Sequence, residues 1–239
     1  MNSTKATMRD TLLGVINRRM ESDSSVFFIS ADLGAPGLDV LRATHPQRFI
    51  NVGIAEQNLV SVAAGLALEG FTVFAYAIAP FLSMRAFEQI RTCLSLHARH
   101  KTLNVNLVGV GAGMSYDISG PSHHCLEDIA ILRSLPDIEV ISPCDPTSTE
   151  ALAHLCFEKK SPKYLRFDGK PLSSIYKKEV IDPALGFCEL RGGDRVCLVT
   201  TGIMTHTAMR VREALLVQDI RIGIIDLFAL RGYQEDRLA

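Results

Sequence analysis

The stretch Phe49-Ile50-Asn51-Val52-Gly53-Ile54-Ala55-Glu56-Gln57-Asn58 decides how the rest of the chain is interpreted. A short apolar strand, 49–52, stops at Gly53, and a helix rich in small residues opens directly after it. Glu56 therefore falls in the first helical turn at the carboxyl edge of a sheet, where open α/β sheets usually bind ligands. A second interpretation stays open at this point. The carboxylate also suits the positive start of a helix, a contribution of about 0.3–1 kcal/mol.

Composition restricts the class of protein. The chain has 239 residues, is 47% hydrophobic and 21% charged, and has a net charge of −1. This is enough apolar material for one or two folded domains, and it gives no overall attraction for nucleic acid or an anionic membrane. The longest apolar run, 71–82, is shorter than the roughly 20 residues that cross a bilayer. Six cysteines without C-x-x-C spacing and the lack of a secretion signal favour a cytoplasmic protein.

Apolar runs alternate with helical patterns along the first 170 residues. Strands of about 4–8 residues that alternate with helices are typical of a parallel sheet covered on both faces. We therefore predict an α/β fold, with a parallel sheet and helices on both faces. The predicted strands are 26–29, 49–52, 71–76, 103–110, 138–141 and 164–167, and the longer predicted helices are 7–20, 82–100 and 147–159.

The chain is predicted to divide into three parts. Residues 1–170 form the main domain, 171–190 form a linker with prolines, serines and lysines, and 191–239 form an incomplete C-terminal α/β domain. The last part contains a single βαβ pattern, with strands at 196–200 and 220–227. Such a unit is a motif and not a complete domain.

Four side chains follow successive predicted strands and should meet at one edge of the sheet: Asp32, Glu56, Phe81 and His123. An acid, an aromatic ring and a histidine around a crevice suit a flat heteroaromatic ligand. Each also has a simpler explanation, since Phe81 suits core packing and Asp32 suits a turn or helix cap. His123 and His124 lack the spacing of metal ligands. Ser122 next to His123 is not a hydrolase signature, because adjacent residues on a helix do not face each other.

Several segments together resemble the transketolase family, and more narrowly the C-terminal subunit of transketolases split over two chains. The similarity runs in register from about Arg9 to Ile225. The segments are Ser30-Ala31-Asp32-Leu33, Asn51-Val52-Gly53-Ile54-Ala55-Glu56-Gln57-Asn58, Ala63-Ala64-Gly65-Leu66-Ala67, Phe81-Leu82-Ser83-Met84-Arg85-Ala86-Phe87-Glu88-Gln89-Ile90-Arg91, Gly120-Pro121-Ser122-His123-His124 and Glu127-Asp128-Ile129-Ala130 with Leu132-Arg133.

The resemblance implies a thiamine diphosphate enzyme that moves a two-carbon ketol unit between sugars, with this chain as its pyrimidine-binding part. Glu56 would hydrogen-bond a ring nitrogen of the aminopyrimidine and assist proton transfer. Phe81 would stack on the pyrimidine, and Asp32 and Ile54 would complete the cofactor site. His123 would lie near the reacting carbonyl of the substrate.

The resemblance also implies a partner subunit. Family members hold the diphosphate through Mg²⁺ with a Gly-Asp-Gly motif, and this sequence contains no Gly-Asp-Gly. We therefore expect no metal ligand in this chain. An N-terminal transketolase subunit would carry the diphosphate and magnesium site, in an α2β2 assembly.

Three positions differ from the sugar-phosphate transketolases. Ser119 replaces an aspartate, Gly111 replaces a histidine, and Gly169 replaces a phosphate-binding arginine. Arg9 and Lys170 remain as candidate phosphate ligands, and Ser119 as a candidate substrate ligand. A lysine lacks the bidentate fork of arginine. The substrate is therefore expected to be a non-standard sugar.

Two other functions stay open from the sequence. One is the beta-type subunit of a thiamine diphosphate 2-oxo acid decarboxylase or dehydrogenase. The other is a non-catalytic scaffold subunit, against which the presence of Glu56 argues.

Overall fold

Six parallel strands form the main sheet, in the spatial order β2-β1-β3-β4-β6-β5. The computed structural model describes residues 6–177 and 181–238. Each pairing between neighbouring strands of this sheet is parallel. The strands are β1 (Val26–Ser30), β2 (Phe49–Asn51), β3 (Thr72–Ile78), β4 (Asn104–Val110), β5 (Glu139–Ile141) and β6 (Lys163–Phe167).

Helices cover both faces of this sheet, because successive side chains of a strand point to opposite faces. Along β3, Phe74 and Tyr76 join a cluster with the first two helices, whereas Val73 and Ala75 join a second cluster with the third helix. The predicted α/β class is confirmed. The helices are α1 (Met8–Ser22), α2 (Pro36–Thr44), α3 (Glu56–Leu68), α4 (Phe87–Gln89), α5 (Asp128–Arg133), α6 (Pro146–Ala153) and α7 (Leu155–Glu158).

The prediction of one regular helix over 82–100 is wrong, because this segment is helical but not a continuous α-helix. Wide π-helical turns, Phe81–Arg85 and Ile90–Leu96, flank the short α4. Ser83 Oγ donates to the carbonyl of Ala79 over 2.7 Å, a side-chain bond that competes with the regular backbone ladder. The helix predicted for 147–159 is likewise divided at His154 into α6 and α7. Apolar spacing identifies a helix but does not reveal these local departures.

A second, three-stranded sheet follows, in the order β7-β9-β8. Its elements are β7 (Phe187–Arg191), β8 (Val196–Thr200), α8 (Met204–Leu216) and β9 (Ile222–Leu227), and α9 (Glu235–Leu238) comes last. The predicted βαβ unit is present, since β8 and β9 pair in parallel. The sequence missed β7, which pairs antiparallel with β9 and begins inside the predicted linker 171–190. The division into 1–170, 171–190 and 191–239 stays a prediction.

Buried polar groups join the two sheets. The Asp226 carboxylate of β9 is fully buried and accepts hydrogen bonds from the Tyr176 hydroxyl at 2.8 Å and the Thr205 hydroxyl at 3.0 Å. Asp145 accepts from the backbone amides of Ile175 and Tyr176 at 2.5 and 2.9 Å. The chain leaving the main sheet is therefore fixed to it before the second sheet begins. Within the described ranges, no helix has both the length and the apolar character needed to cross a membrane.

Candidate active site

The loop between β2 and α3 is shaped by a small hydrogen-bond network at the carboxyl edge of the sheet. Asn51 donates from Nδ2 to Asp32 Oδ1 over 2.8 Å, and its Oδ1 accepts from the amide of Gly53 over 3.0 Å. Gly53 has φ +74°, which glycine adopts at little cost. This turn places Glu56 at the start of α3.

Glu56 is a buried acid with one oxygen bound and one available. Its side chain is 3% exposed, and Oε2 accepts from Arg85 Nη1 over 2.6 Å, whereas the Arg85 side chain is 45% exposed. Among residues 6–177 and 181–238, no hydrogen bond reaches Glu56 Oε1. The acid can therefore bind a polar group of a ligand without losing its ion pair.

Arg85 connects Glu56 to an aromatic ring. Its guanidinium carbon lies 4.8 Å from the centre of the Phe81 ring, a cation–π distance. The other neighbour of that ring is His123, whose imidazole meets it edge-on with the ring centres 5.2 Å apart. Glu56, Arg85, Phe81 and His123 thus form one continuous group, and three of them were predicted to meet at this edge.

His123 lies on a loop that is closed at its base. The amides of Gly113 and Cys125 each donate to the other residue's carbonyl, at 2.9 and 2.8 Å. His123 Nδ1 is 3.1 Å from Ser122 Oγ, so the expectation that these neighbours do not contact is wrong. They lie in a 3₁₀ turn, Pro121–His123, and not on an α-helix. In the described part of the chain no carboxylate contacts His123, so the third member of a hydrolase triad is not provided there.

The other two predicted cofactor ligands differ in their surroundings. Asp32 is exposed, has φ 54° and holds Asn51, so its visible role is to shape the loop before Glu56. Ile54 projects from the same loop with 75% of its surface exposed. Both lie beside Glu56, and their binding roles stay predictions.

Three other predicted substrate ligands lie near Tyr116: Arg9, Lys170 and Ser119. Arg9 donates to both carboxylate oxygens of Asp10, at 2.8 and 3.1 Å, and this bond raises the pKa of Arg9. Lys170 Nζ is 3.5 Å from Asp117 Oδ2. Ser119 is exposed in the turn that Asp117 opens. Both predicted cations therefore already have a carboxylate partner.

Sequence reasoning gave no role to two groups of residues that the structure places here. Arg85 was quoted only as part of a family motif, although it stands four residues after Phe81 and so on the same helical side. Asp128 is fully buried and accepts from Arg166 Nε at 2.8 Å and the Tyr164 hydroxyl at 2.9 Å. This ion pair supports the start of α5 behind the His123 loop. No cluster of three or more His, Cys, Asp or Glu side chains suited to a metal occurs among the described residues.

A parallel sheet with a buried acid, an aromatic ring and a histidine at its carboxyl edge defines an α/β ligand-binding domain. The family described as "Transketolase, pyrimidine binding domain" matches residues 4–172. The chain therefore belongs to the transketolase pyrimidine-binding-domain family.

Three relatives show how much of a longer protein the chain covers. It is 33% identical over 212 residues to the "Putative transketolase C-terminal section" of Methanocaldococcus jannaschii, covering 87% of this chain and 66% of that protein. It is 29% identical over 231 residues to the "6-deoxy-6-sulfo-D-fructose transketolase subunit SqwH" of a Clostridium species, covering 96% and 70%. Identity is 39% over 197 residues to mouse "Transketolase-like protein 2", covering 81% of this chain and 30% of that protein. The chain thus spans from under one third to about two thirds of the length of these relatives.

A solved structure is also similar over most of this chain. The chain is similar to a structure described as "Split gene transketolase, inactive beta4 tetramer", with a TM-score of 0.83 and 28% identity. The match covers 95% of this chain and 73% of that one. This structural match extends beyond residues 4–172, the range of the family match, so it includes the second sheet.

Proposed function

We propose that this chain is the pyrimidine-binding, C-terminal subunit of a two-chain transketolase that depends on thiamine diphosphate. The complex moves a two-carbon ketol unit from a ketose donor to an aldehyde acceptor. The observation that carries the proposal is the group Glu56–Arg85–Phe81–His123 at the carboxyl edge of the sheet, in a chain of the transketolase pyrimidine-binding family.

The residues present fit the pyrimidine end of the cofactor. Glu56 offers a buried carboxylate whose Oε1 has no partner in the described ranges, which suits a ring nitrogen that needs a hydrogen bond. Phe81 offers a flat, partly exposed surface for stacking.

Each residue of the group has a defined task in this account. Glu56 binds the pyrimidine nitrogen and holds or releases a proton there, Phe81 orients the ring, and His123 binds the substrate oxygen near the reacting carbon. When bound, the cofactor supplies the electron sink that stabilises a carbanion. Asp32 keeps the Glu56 loop in place through Asn51, and Ile54 adds apolar contact.

The partner is proposed to hold the other end of the cofactor. The sequence has no Gly-Asp-Gly motif, and the described residues contain no metal-ligand cluster. We assign the Mg²⁺ ion and the diphosphate to an N-terminal transketolase subunit, in a cytoplasmic α2β2 complex. Similarity to a C-terminal section and to a split-gene transketolase supports this division.

The substrate is proposed to be a non-standard sugar. Ser119, Gly111 and Gly169 stand where the resemblance to the sugar-phosphate transketolases implies an aspartate, a histidine and an arginine. One relative is itself named for 6-deoxy-6-sulfo-D-fructose, which shows that the family includes such substrates.

Reconstitution tests the proposal. This chain is co-expressed with an N-terminal subunit that carries Gly-Asp-Gly, and ketol transfer is measured with thiamine diphosphate, Mg²⁺ and a panel of ketoses and aldehydes. We expect transfer by the complex, none by either subunit alone, and a loss of about 10²-fold or more in Glu56→Ala. Efficient use of xylulose 5-phosphate with ribose 5-phosphate would refute the non-standard substrate. Oxidation of pyruvate without transfer would instead identify a 2-oxo acid enzyme, and an unchanged rate in Glu56→Ala a scaffold.

A further inference from the structure

Tyr116 fills a space between two loops that follow neighbouring strands. Its ring lies against Gly111, directly after β4, and against Gly169, two residues after β6. A Cβ at Gly111 would overlap the ring, and one at Gly169 would lie 3.0 Å from it. The amides of Gly111 and Ala112 both donate to the carbonyl of Phe167, at 2.9 and 3.0 Å, which holds the two loops together. While Tyr116 occupies this position, a side chain at Gly111 would overlap its ring, and one at Gly169 would require the ring to shift by a few tenths of an ångström.

One loop links Tyr116 to the candidate active site. Tyr116 and His123 belong to the same loop, which is closed by Gly113 and Cys125. β4 and β6 are adjacent in the sheet, about 4.8 Å apart. A sugar bound with its reacting end at His123 and its chain along this loop would reach Tyr116.

The charges around Tyr116 are unsuited to a phosphate. Arg9 is bound bidentately by Asp10, Lys170 lies beside Asp117, and the buried carboxylate of Asp168 accepts from the amide of Lys170 at 2.8 Å. Arg166, the third cation here, is bound through Nε by the buried Asp128 at 2.8 Å. Each of the three cations thus has a carboxylate partner, so a doubly charged phosphate would have to displace a carboxylate to bind one. A phosphate binds well only where cations are available for charge-assisted hydrogen bonds.

The polar groups that remain suit hydroxyl groups. The Tyr116 ring is partly exposed and the Tyr76 hydroxyl is fully buried. Tyr76 lies close to Arg9 but outside hydrogen-bond geometry, and within the described ranges its hydroxyl has no partner. A phenol both donates and accepts, as a sugar hydroxyl does.

We propose that Tyr116 determines substrate specificity, and that it selects sugars whose end remote from the reacting carbon is an uncharged hydroxyl and not a phosphate. This inference rests on the proposed transketolase function and adds the class of substrate to it. The ring takes the side-chain space of Gly111 and leaves little room for a side chain at Gly169.

A matched pair of acceptors tests this in the two-subunit complex. D-erythrose and D-erythrose 4-phosphate differ only in the phosphate, and hydroxypyruvate serves as a donor without phosphate. The wild-type complex has the higher kcat/KM with erythrose. The double variant Tyr116→Ala/Gly169→Arg, which frees the space and adds a forked cation, shifts the ratio toward the phosphorylated acceptor by about 10- to 150-fold. Gly169→Arg alone shifts it less, because the tyrosine ring blocks the new side chain.

A wild-type preference for erythrose 4-phosphate, or a double variant with the wild-type ratio, would overturn the proposal. Calorimetric titration of each acceptor alone, without a donor, measures the same preference in the absence of turnover. The complex could transfer no ketol unit and still bind erythrose more tightly than erythrose 4-phosphate, with the order of affinities reversed in the double variant. That result would refute the transketolase function and support the specificity of Tyr116. Thermal midpoints of all complexes show whether each variant is folded.

Discussion

The ion pair between Arg85 and Glu56 permits a quantitative prediction about stability. Replacing Arg85 by Met leaves a carboxylate with a 3% exposed side chain without its counterion. Hydrogen bonds to charged groups contribute about 1.5–3 kcal/mol, whereas exposed ion pairs contribute about 0.2–1 kcal/mol. Arg85 is 45% exposed and Glu56 is buried, so we expect an intermediate loss of about 1–2 kcal/mol.

The measurement is urea denaturation at one fixed protein concentration, because self-association would make the midpoint depend on concentration. Thermal midpoints should fall by about 2–4 °C for each kcal/mol in a chain of this size. Glu56→Gln and the double variant Arg85→Met/Glu56→Gln complete a double-mutant cycle, which isolates the coupling between the two side chains.

Arg91 provides the matched control. It lies in the same helical region, is also 45% exposed, and contacts Glu88 at 2.8 Å, but Glu88 is 60% exposed. Arg91→Met should leave the urea midpoint unchanged. The reasoning fails if Arg85→Met behaves like Arg91→Met, or if the cycle gives a coupling below about 0.3 kcal/mol, within the usual error of additivity.

Two further predictions concern the core. Burial raises the pKa of Asp226 to about 6, above its unfolded value of about 3.9, so the folded state keeps this proton between about pH 4 and pH 6. That stabilisation is present below pH 4 and is lost as the pH rises through 6. The free energy of unfolding of Asp226→Asn, measured by urea denaturation, should therefore rise by about 2 kcal/mol relative to wild type between pH 4 and pH 7; a difference that does not change with pH would contradict this. In Gly109→Ala the new Cβ would lie 2.6 Å from the Tyr164 ring, and we expect a loss of about 1–3 kcal/mol in the same assay. Gly65 lies in the middle of α3, and a Cβ added there would meet nothing within 4 Å, so Gly65→Ala should raise the free energy of unfolding by about 0.5–1 kcal/mol. Equal effects of the two substitutions would refute the packing argument.

The sequence was sufficient for the parts of the fold that follow from local patterns. A continuous apolar run such as 26–29 indicates a strand buried on both faces. Alternation of such strands with helices indicates a parallel sheet, so the carboxyl ends of the strands share one edge. That is why Glu56, Phe81 and His123 could be expected together before any coordinates were known. Their proximity depends only on strand ends and strand order.

Other features depend on three-dimensional contacts that no local pattern contains. Arg85 binds Glu56, an acid 29 residues away in the sequence. Tyr116 contacts Gly111 and Gly169 only because of the path that its loop takes. The first π-helical turn contains a buried serine bond to a backbone carbonyl, which apolar spacing does not indicate. β7 is short and only partly buried, so it has neither the apolar run nor the alternation that marks a strand.

Proton exchange at the thiazolium carbon of thiamine diphosphate tests the central claim most directly, because it reports on Glu56 without any substrate. Hydrogen–deuterium exchange is followed by NMR in the two-subunit complex for wild type and Glu56→Gln, with cofactor binding checked in both. The account predicts that the wild-type complex exchanges this proton about 10²-fold or more faster than Glu56→Gln. Equal exchange rates in two complexes that both bind the cofactor would contradict it.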